Sequence, residues 1–386
     1  MSKQKPSQEQ INPILELFTN GQIQEALNAL DVLSKDYSDD ALLFNIRGAC
    51  FSGLGQKDAA VESYKKAVLL KPDYAKAHYN LGGALQEIGQ LDASVKSYES
   101  AIALEPENAE ALNNLGNVLR ELDQLDAAIN SYEKAIVINP DYVEAHYSLG
   151  LIFQDLGQLE NTVNSYKQVV AIKPDFAGMH NNLGNVYREL GELDAALKSY
   201  KKAIAIKPDF VEAFFNQGIT FQAQNQLDSA VKSYEEVISI KPNSAEAHNN
   251  LGTIFLELKQ LENAEESFRQ TILLKPNYSG AHYNLGITLK DLRKIDEAED
   301  SFRNATIINP EHAEAYNNLG NVLATQDKLE EAEDSLRNAI VIDPDYAEAH
   351  NNLGNLMATQ DRFGDAEASY RKAIALKPDY APAYSN

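Results

Sequence analysis

One cysteine, Cys50, stands in 386 residues. No disulfide can form within the chain, and a reducing compartment fits that usage. Long apolar runs are missing as well, and the longest stretches are too short to cross a bilayer. The opening residues Met1-Ser2-Lys3-Gln4-Lys5-Pro6 lead into polar sequence, not into the apolar core of a secretory signal. The expectation is a cytoplasmic protein without a membrane segment. Basic residues are the minority, 34 Lys and Arg against 57 Asp and Glu, for a net charge of −23. Binding to a phosphate backbone needs clustered Lys and Arg, so nucleic acid is a poor partner. No glycine-rich phosphate loop, Cys-His metal pattern or nucleophile motif appears. No enzyme activity, catalytic residue, metal or cofactor is therefore expected, and there are no strand signals.

What the chain has is a beat. Ten prolines recur every 34 residues, from Pro72 and Pro106 through Pro344 to Pro378. Ten glycines, from Gly48 and Gly82 to Gly354, keep the same interval. A fixed period of this length marks one small unit stacked many times, and such arrays present extended surfaces.

Residues 141–174 serve as a sample unit. Asp141, with Glu144 three residues on, reads as a helix cap. Leu149, Ile152, Phe153 and Leu156 follow at helical spacing, and Gly157-Gln158 breaks the run. A second helix starts near Leu159 and stops at Pro174, because the residue before a proline disfavours helical geometry. Each unit is thus two antiparallel helices, and the fold class is an all-α solenoid. The glycine column lies mid-helix, at a cost of about 1 kcal/mol per copy relative to Ala. Close approach of the second helix would explain it, with Ala128, Ala196, Ala230, Ala264, Ala298, Ala332 and Ala366 at one register. Four residues later stands a large ring, such as Tyr132, Tyr166 or Phe302, with Leu336 the exception. Cys50 shares its register with Val118, Ile152 and Val186 and reads as a small buried residue.

Leu-Gly, then an aromatic or Leu, then Ala, an aromatic and Pro resembles the tetratricopeptide repeat, without a gap over residues 41–380. One departure is the slot four before the glycine, where that family often has Trp. This chain has none and uses Phe44, His78, His146, His180, Phe214, His248, His282, Tyr316 and His350, which read as packing residues. The domain reading is a disordered leader at 1–6, a degenerate capping unit at 7–40, and ten tandem units at 41–380. The start of a further, truncated helix follows at 381–386. An uncapped last unit is a surface for self-association, or the sign that a longer protein continues beyond residue 386.

The resemblance implies a right-handed superhelix whose inner groove is lined by first helices. In that family the residue two before the glycine faces the groove. Here it is Asn80, Asn114, Asn182, Asn216, Asn250, Asn284, Asn318 and Asn352, interrupted by Ser148. A carboxamide both donates and accepts, so it can pair with any peptide bond. Helices pack about 8–10 Å apart and an extended chain rises about 3.3 Å per residue, so one asparagine meets every third peptide residue. The competing explanation is a local hydrogen bond copied by duplication. Asn-Asn-Leu-Gly-Asn motifs add Asn117, Asn185, Asn321 and Asn355 to the candidate set. They alternate with aromatic units such as Tyr79-Asn80-Leu81-Gly82, which suggests alternating amide and ring contacts in the groove.

Outside the groove, Val61, Val95, Ile129, Val163, Leu197 and Val231 give way at one register to Glu265, Glu299, Glu333 and Glu367. Each glutamate has an arginine four residues on, which reads as a solvated face; the aliphatic stripe reads as a partner surface. The lysine-rich carboxylate clamp of some family members is missing. Glu110, Glu144, Glu212, Glu246, Glu314 and Glu348 stand near the first-helix start instead. The functional expectation is a scaffold that binds protein or peptide segments in an extended form. The alternative is the substrate-recognition arm of a larger transferase, because the asparagine column resembles that preceding the catalytic domain of O-linked N-acetylglucosamine transferases.

Overall fold

The computed structural model describes residues 5–379 together with Ala381 and Ala383. Most of the expected leader and of the further helix at 381–386 therefore lies outside the described residues. Among these residues there are twenty-two helices, running from Gln8 to Leu376, and no strand. They form consecutive antiparallel pairs, the α-solenoid expected. In the sample unit the pair is Val143–Asp155 and Leu159–Ile172. The chain divides into two compact units between Leu190 and Gly191.

Within each unit a second helix packs on its own first helix and on the first helix of the next pair. First helices also touch one another: Ala75–Glu87 contacts Ala41–Gly53 and Ala109–Glu121, and Ala313–Thr325 contacts Ala347–Thr359. Among the described residues no two second helices are joined to a comparable extent. Successive first helices thus lie closer to one another than successive second helices do.

The glycine column makes room for a ring. A Cβ built on Gly116 would lie 2.7 Å from the Tyr132 ring, and one on Gly286 2.7 Å from Phe302. The same holds for Gly48 with Tyr64, Gly82 with Tyr98, Gly218 with Tyr234 and Gly252 with Phe268. The alanine register, expected to face the glycine, is buried nearby, but the ring occupies the hole. Tyr132, Tyr234, Phe268 and Phe302 are wholly buried, so they cannot yield. Cys50 is buried as expected, and burial pushes its thiol up and keeps it protonated.

Helix starts differ from expectation. Asp141 does not cap its helix: the N-cap is Tyr142, whose side chain makes no capping bond. The corner is closed otherwise. Tyr142 N–H donates to Asn139 O across the turn, and Asp141 N–H to Asn139 Oδ1. The His146 ring donates through Nε2 to Pro140 O at 2.9 Å. His78, His180, His248, His282 and His350 each reach the proline carbonyl six residues back in the same way. The proline carbonyl lies near the helix start, and the imidazole N–H ties the corner by donating to it, whereas an Asp cap would accept from the first-turn N–H groups. Side-chain caps do occur at Asp40, Asn108 and Ser244.

Gly116→Ala should destabilise the protein by about 1–2 kcal/mol, because overpacking against a fixed ring exceeds the gain in helix propensity. Gly364, which has open space at its Cβ position, should respond oppositely, with Gly364→Ala raising stability by up to about 1 kcal/mol. The shift in chemical unfolding midpoint checks both.

Candidate functional site

The asparagines two before the glycine sit half-buried on the first helices, and four of them are linked to the preceding pair. Asn80 Nδ2 donates to Asn45 Oδ1 at 2.9 Å, and Asn352 Nδ2 to Asn317 Oδ1 at 2.9 Å. Asn114 Nδ2 donates to the Tyr79 hydroxyl at 3.0 Å, and Asn318 Nδ2 reaches the Tyr283 hydroxyl at 3.5 Å. In each case the acceptor is the residue three before the glycine of the preceding pair. Across these four links the alternation between Asn and Tyr changes the acceptor, whereas Asn249 Oδ1, at the same position, is buried and accepts no bond. Phe215 offers no acceptor, and Asn250 Nδ2 turns to the Tyr234 hydroxyl at 3.2 Å.

The alternating position is half-buried where it holds Tyr79, Tyr147, Phe215 or Tyr283 and more deeply covered in most units where it holds Asn. Asn45, Asn113, Asn181, Asn317 and Asn351 are buried among the helices. The Tyr79 and Tyr283 rings lean on the second-helix rings, with Tyr79 edge-on to Tyr98 at 5.8 Å. The Tyr79 hydroxyl also donates to Glu110 Oε1 at 2.5 Å. Burial, then that carboxylate, pushes Tyr79 far above the ordinary phenol range. The Tyr98 phenol is raised to about 12, by burial above all.

The asparagines one after the glycine have a separate task. Tyr132 OH donates to Asn117 Oδ1 at 2.8 Å, and Tyr370 OH to Asn355 Oδ1 at 2.9 Å. Asn117 and Asn355 accept from the ring that fills the glycine hole, whereas Asn321 stands beside Gly320, whose hole Leu336 fills. Where that ring is Phe268 or Phe302, the slot holds Thr253 or Ile287. Elsewhere Gln takes over: Tyr166 donates to Gln154 and Tyr234 to Gln222. Asn182, Asn216 and Asn284 are half-buried on their first helices, as are Asn185 and Asn321. Ser148, which interrupts the column, is buried.

Most of the column expected to be a solvated face is covered, and only Glu367, 64% exposed, meets that expectation. Val61 and Val163 are buried, as is Glu299, and the Glu265 and Glu333 side chains are only 13% and 19% exposed. The arginines four residues on pair as anticipated, Arg303 to Glu299 at 2.7 Å and Arg337 to Glu333 at 2.7 Å. The partners that sequence spacing missed come from the next pair, 29 residues away: Lys294 on Glu265, Lys328 on Glu299 and Arg362 on Glu333. A lockstep change of two columns, Val231 with Gln260 and then Glu265 with Lys294, was the available signal.

Antiparallel helix pairs stacked at a fixed period define a helical-repeat solenoid. The chain belongs to the tetratricopeptide repeat family. The model described as TPR repeat matches residues 51–89, 84–122, 116–157, 150–187, 184–225, 220–259 and 320–361. Models described as tetratricopeptide repeat match 245–278, 279–312 and 347–380. Among curated proteins, the peroxisomal targeting signal receptor of Candida albicans is 32% identical over 65 residues, 17% of this chain. The match spans only 11% of that receptor's length. Among solved structures, YrrB, a TPR protein with an unusual peptide-binding site, is 23% identical with a TM-score of 0.45, covering 49% of this chain and 97% of that one. Cut9 with Hcn1, from an APC/C hetero-tetramer, is 13% identical with a TM-score of 0.45, covering 96% and 94%. No helix among the described residues is long and apolar enough to cross a membrane.

Asn117→Leu should cost about 1–2 kcal/mol by depriving the buried Tyr132 hydroxyl of its acceptor. Adding Tyr132→Phe should recover most of that loss. A double-mutant cycle in urea checks it; an additive pair of losses would mean that the bond contributes nothing.

Proposed function

We propose that this protein is a non-enzymatic interaction scaffold that holds extended polypeptide along the first-helix side of its repeats. The observation that carries this reading is the ordered asparagine column. Its side chains are half-buried, which leaves them partly open to solvent, and each stands at the same register of its helix. The inter-pair bonds do not exhaust them. A carboxamide has two donors and a two-lone-pair acceptor, and a bond such as Asn80 to Asn45 uses one donor. That bond fixes the orientation of the amide before any ligand arrives, and lowers the ordering cost of binding. Backbone pairing at every third residue makes capture tolerant of sequence, as suits a scaffold. The asparagines one after the glycine contribute less to this face, since Asn117 and Asn355 already accept from Tyr132 and Tyr370.

A phage-displayed library of unstructured peptides about twenty residues long supplies the probe. Peptides selected on the intact chain should bind at least about tenfold more weakly to Asn216→Ala/Asn250→Ala/Asn284→Ala, with an unchanged unfolding midpoint. Equal affinity for both proteins would sink the asparagine reading.

A further inference from the structure

We propose that helix-pair stacking over residues 261–376 is responsive to ionic strength, because a ladder of carboxylates and cations joins pairs there where aliphatic contacts join them earlier in the chain. Three rungs are built alike. Glu265 accepts from Arg269 of its own helix and from Lys294 of the next pair at 2.7 Å. Glu299 does so from Arg303 and from Lys328 at 2.6 Å, and Glu333 from Arg337 and from Arg362 at 2.8 Å. Two of the arginines reach onward: Arg269 to Glu297 at 2.5 Å and Arg303 to Glu331 at 3.0 Å. A rung therefore binds two successive pairs by up to four charges.

Earlier in the chain the carboxylate slot holds Val61, Val95 and Ile129, while the cation slot of the next pair holds Gln90, Gln124 and Gln158. Aliphatic burial is not weakened by salt. The ladder differs in kind. Its carboxylates are largely buried, but Arg269, Lys294, Arg303, Lys328 and Arg362 are 38–47% exposed, open to counterions. Burial pushes the three carboxyls up, yet hydrogen bonds and charge from the surrounding Lys and Arg outweigh it and hold them below the usual carboxylate range. A depressed value means that their contribution is in place at neutral pH and is lost only as the pH falls through it. At neutral pH screening is thus the lever. Salt loosens one pair against the next while leaving each glycine-and-ring hairpin closed. The device stands whether or not the first-helix face binds peptide.

Hydrogen exchange of the full chain, read by mass spectrometry at neutral pH in about 0.02 M and about 1 M NaCl, tests it. Amide protection over residues 295–342 should fall about tenfold in high salt, and protection over 91–138 should not fall. The variant Glu265→Val/Lys294→Gln/Glu299→Val/Lys328→Gln/Glu333→Val/Arg362→Gln installs the earlier pairing and should abolish the response. If that variant does not fold, Glu299→Gln alone should reduce the response locally. The proposal is overturned by an equal loss in both stretches, by no loss at 295–342, or by either folded variant retaining the full response.

Discussion

Everything in this protein depends on a ring seated where a side chain is missing. A mid-helix glycine is unfavourable by itself, but Gly116 lets the Tyr132 ring enter the space its own Cβ would need. The contact fixes how deeply the second helix sits against the first. Because it recurs at Gly48, Gly82, Gly218, Gly252, Gly286 and Gly354, those hairpins are closed by the same contact. Identical building blocks can stack at constant offset, and only then can a residue column become a continuous feature of a surface. Even the exception obeys the steric logic: Gly320 faces Leu336, which fills the hole with a branched chain.

Two kinds of polar order are laid over that frame. Along the first helices, amides pass hydrogen bonds from one pair to the next, as from Asn80 to Asn45 and from Asn352 to Asn317. At the junctions between second helices and the following pair, carboxylates and cations do the equivalent between Glu265 and Arg362. Both are long-range in sequence and short-range in space, as a solenoid allows, since position n of one unit always lies near position n of the next.

That property also explains what could be read from the chain in advance. The period, the hairpin at 143–172 and its break at Gly157 were legible, because local propensity and packing point the same way. The register of the ring was legible, but its partner was misplaced: small residues looked as though they met each other, when the glycine meets the ring. The helix corners were hidden, since Asp141 has the chemistry of a cap while His146 supplies the bond. The glutamate column was misread because spacing within one helix shows Arg303 but not Lys328, which lies across a unit boundary. Asn117 was equally ambiguous; a surface amide and a buried-hydroxyl acceptor look alike in a sequence.

The histidine corners carry a consequence for how such a chain is inherited. Each imidazole bonds a carbonyl six residues back, at the end of the preceding unit, so a corner is completed by two neighbouring units. Because the proline recurs at the end of every unit from Pro72 to Pro378, a copied unit meets the same carbonyl whichever neighbour precedes it, and copy number can change without inventing a new turn. The charged junctions cannot be copied so freely. A unit with Glu299 in its second helix needs a successor with a cation at the slot of Lys328, so lineages that gain or lose units there must preserve neighbours as well as units.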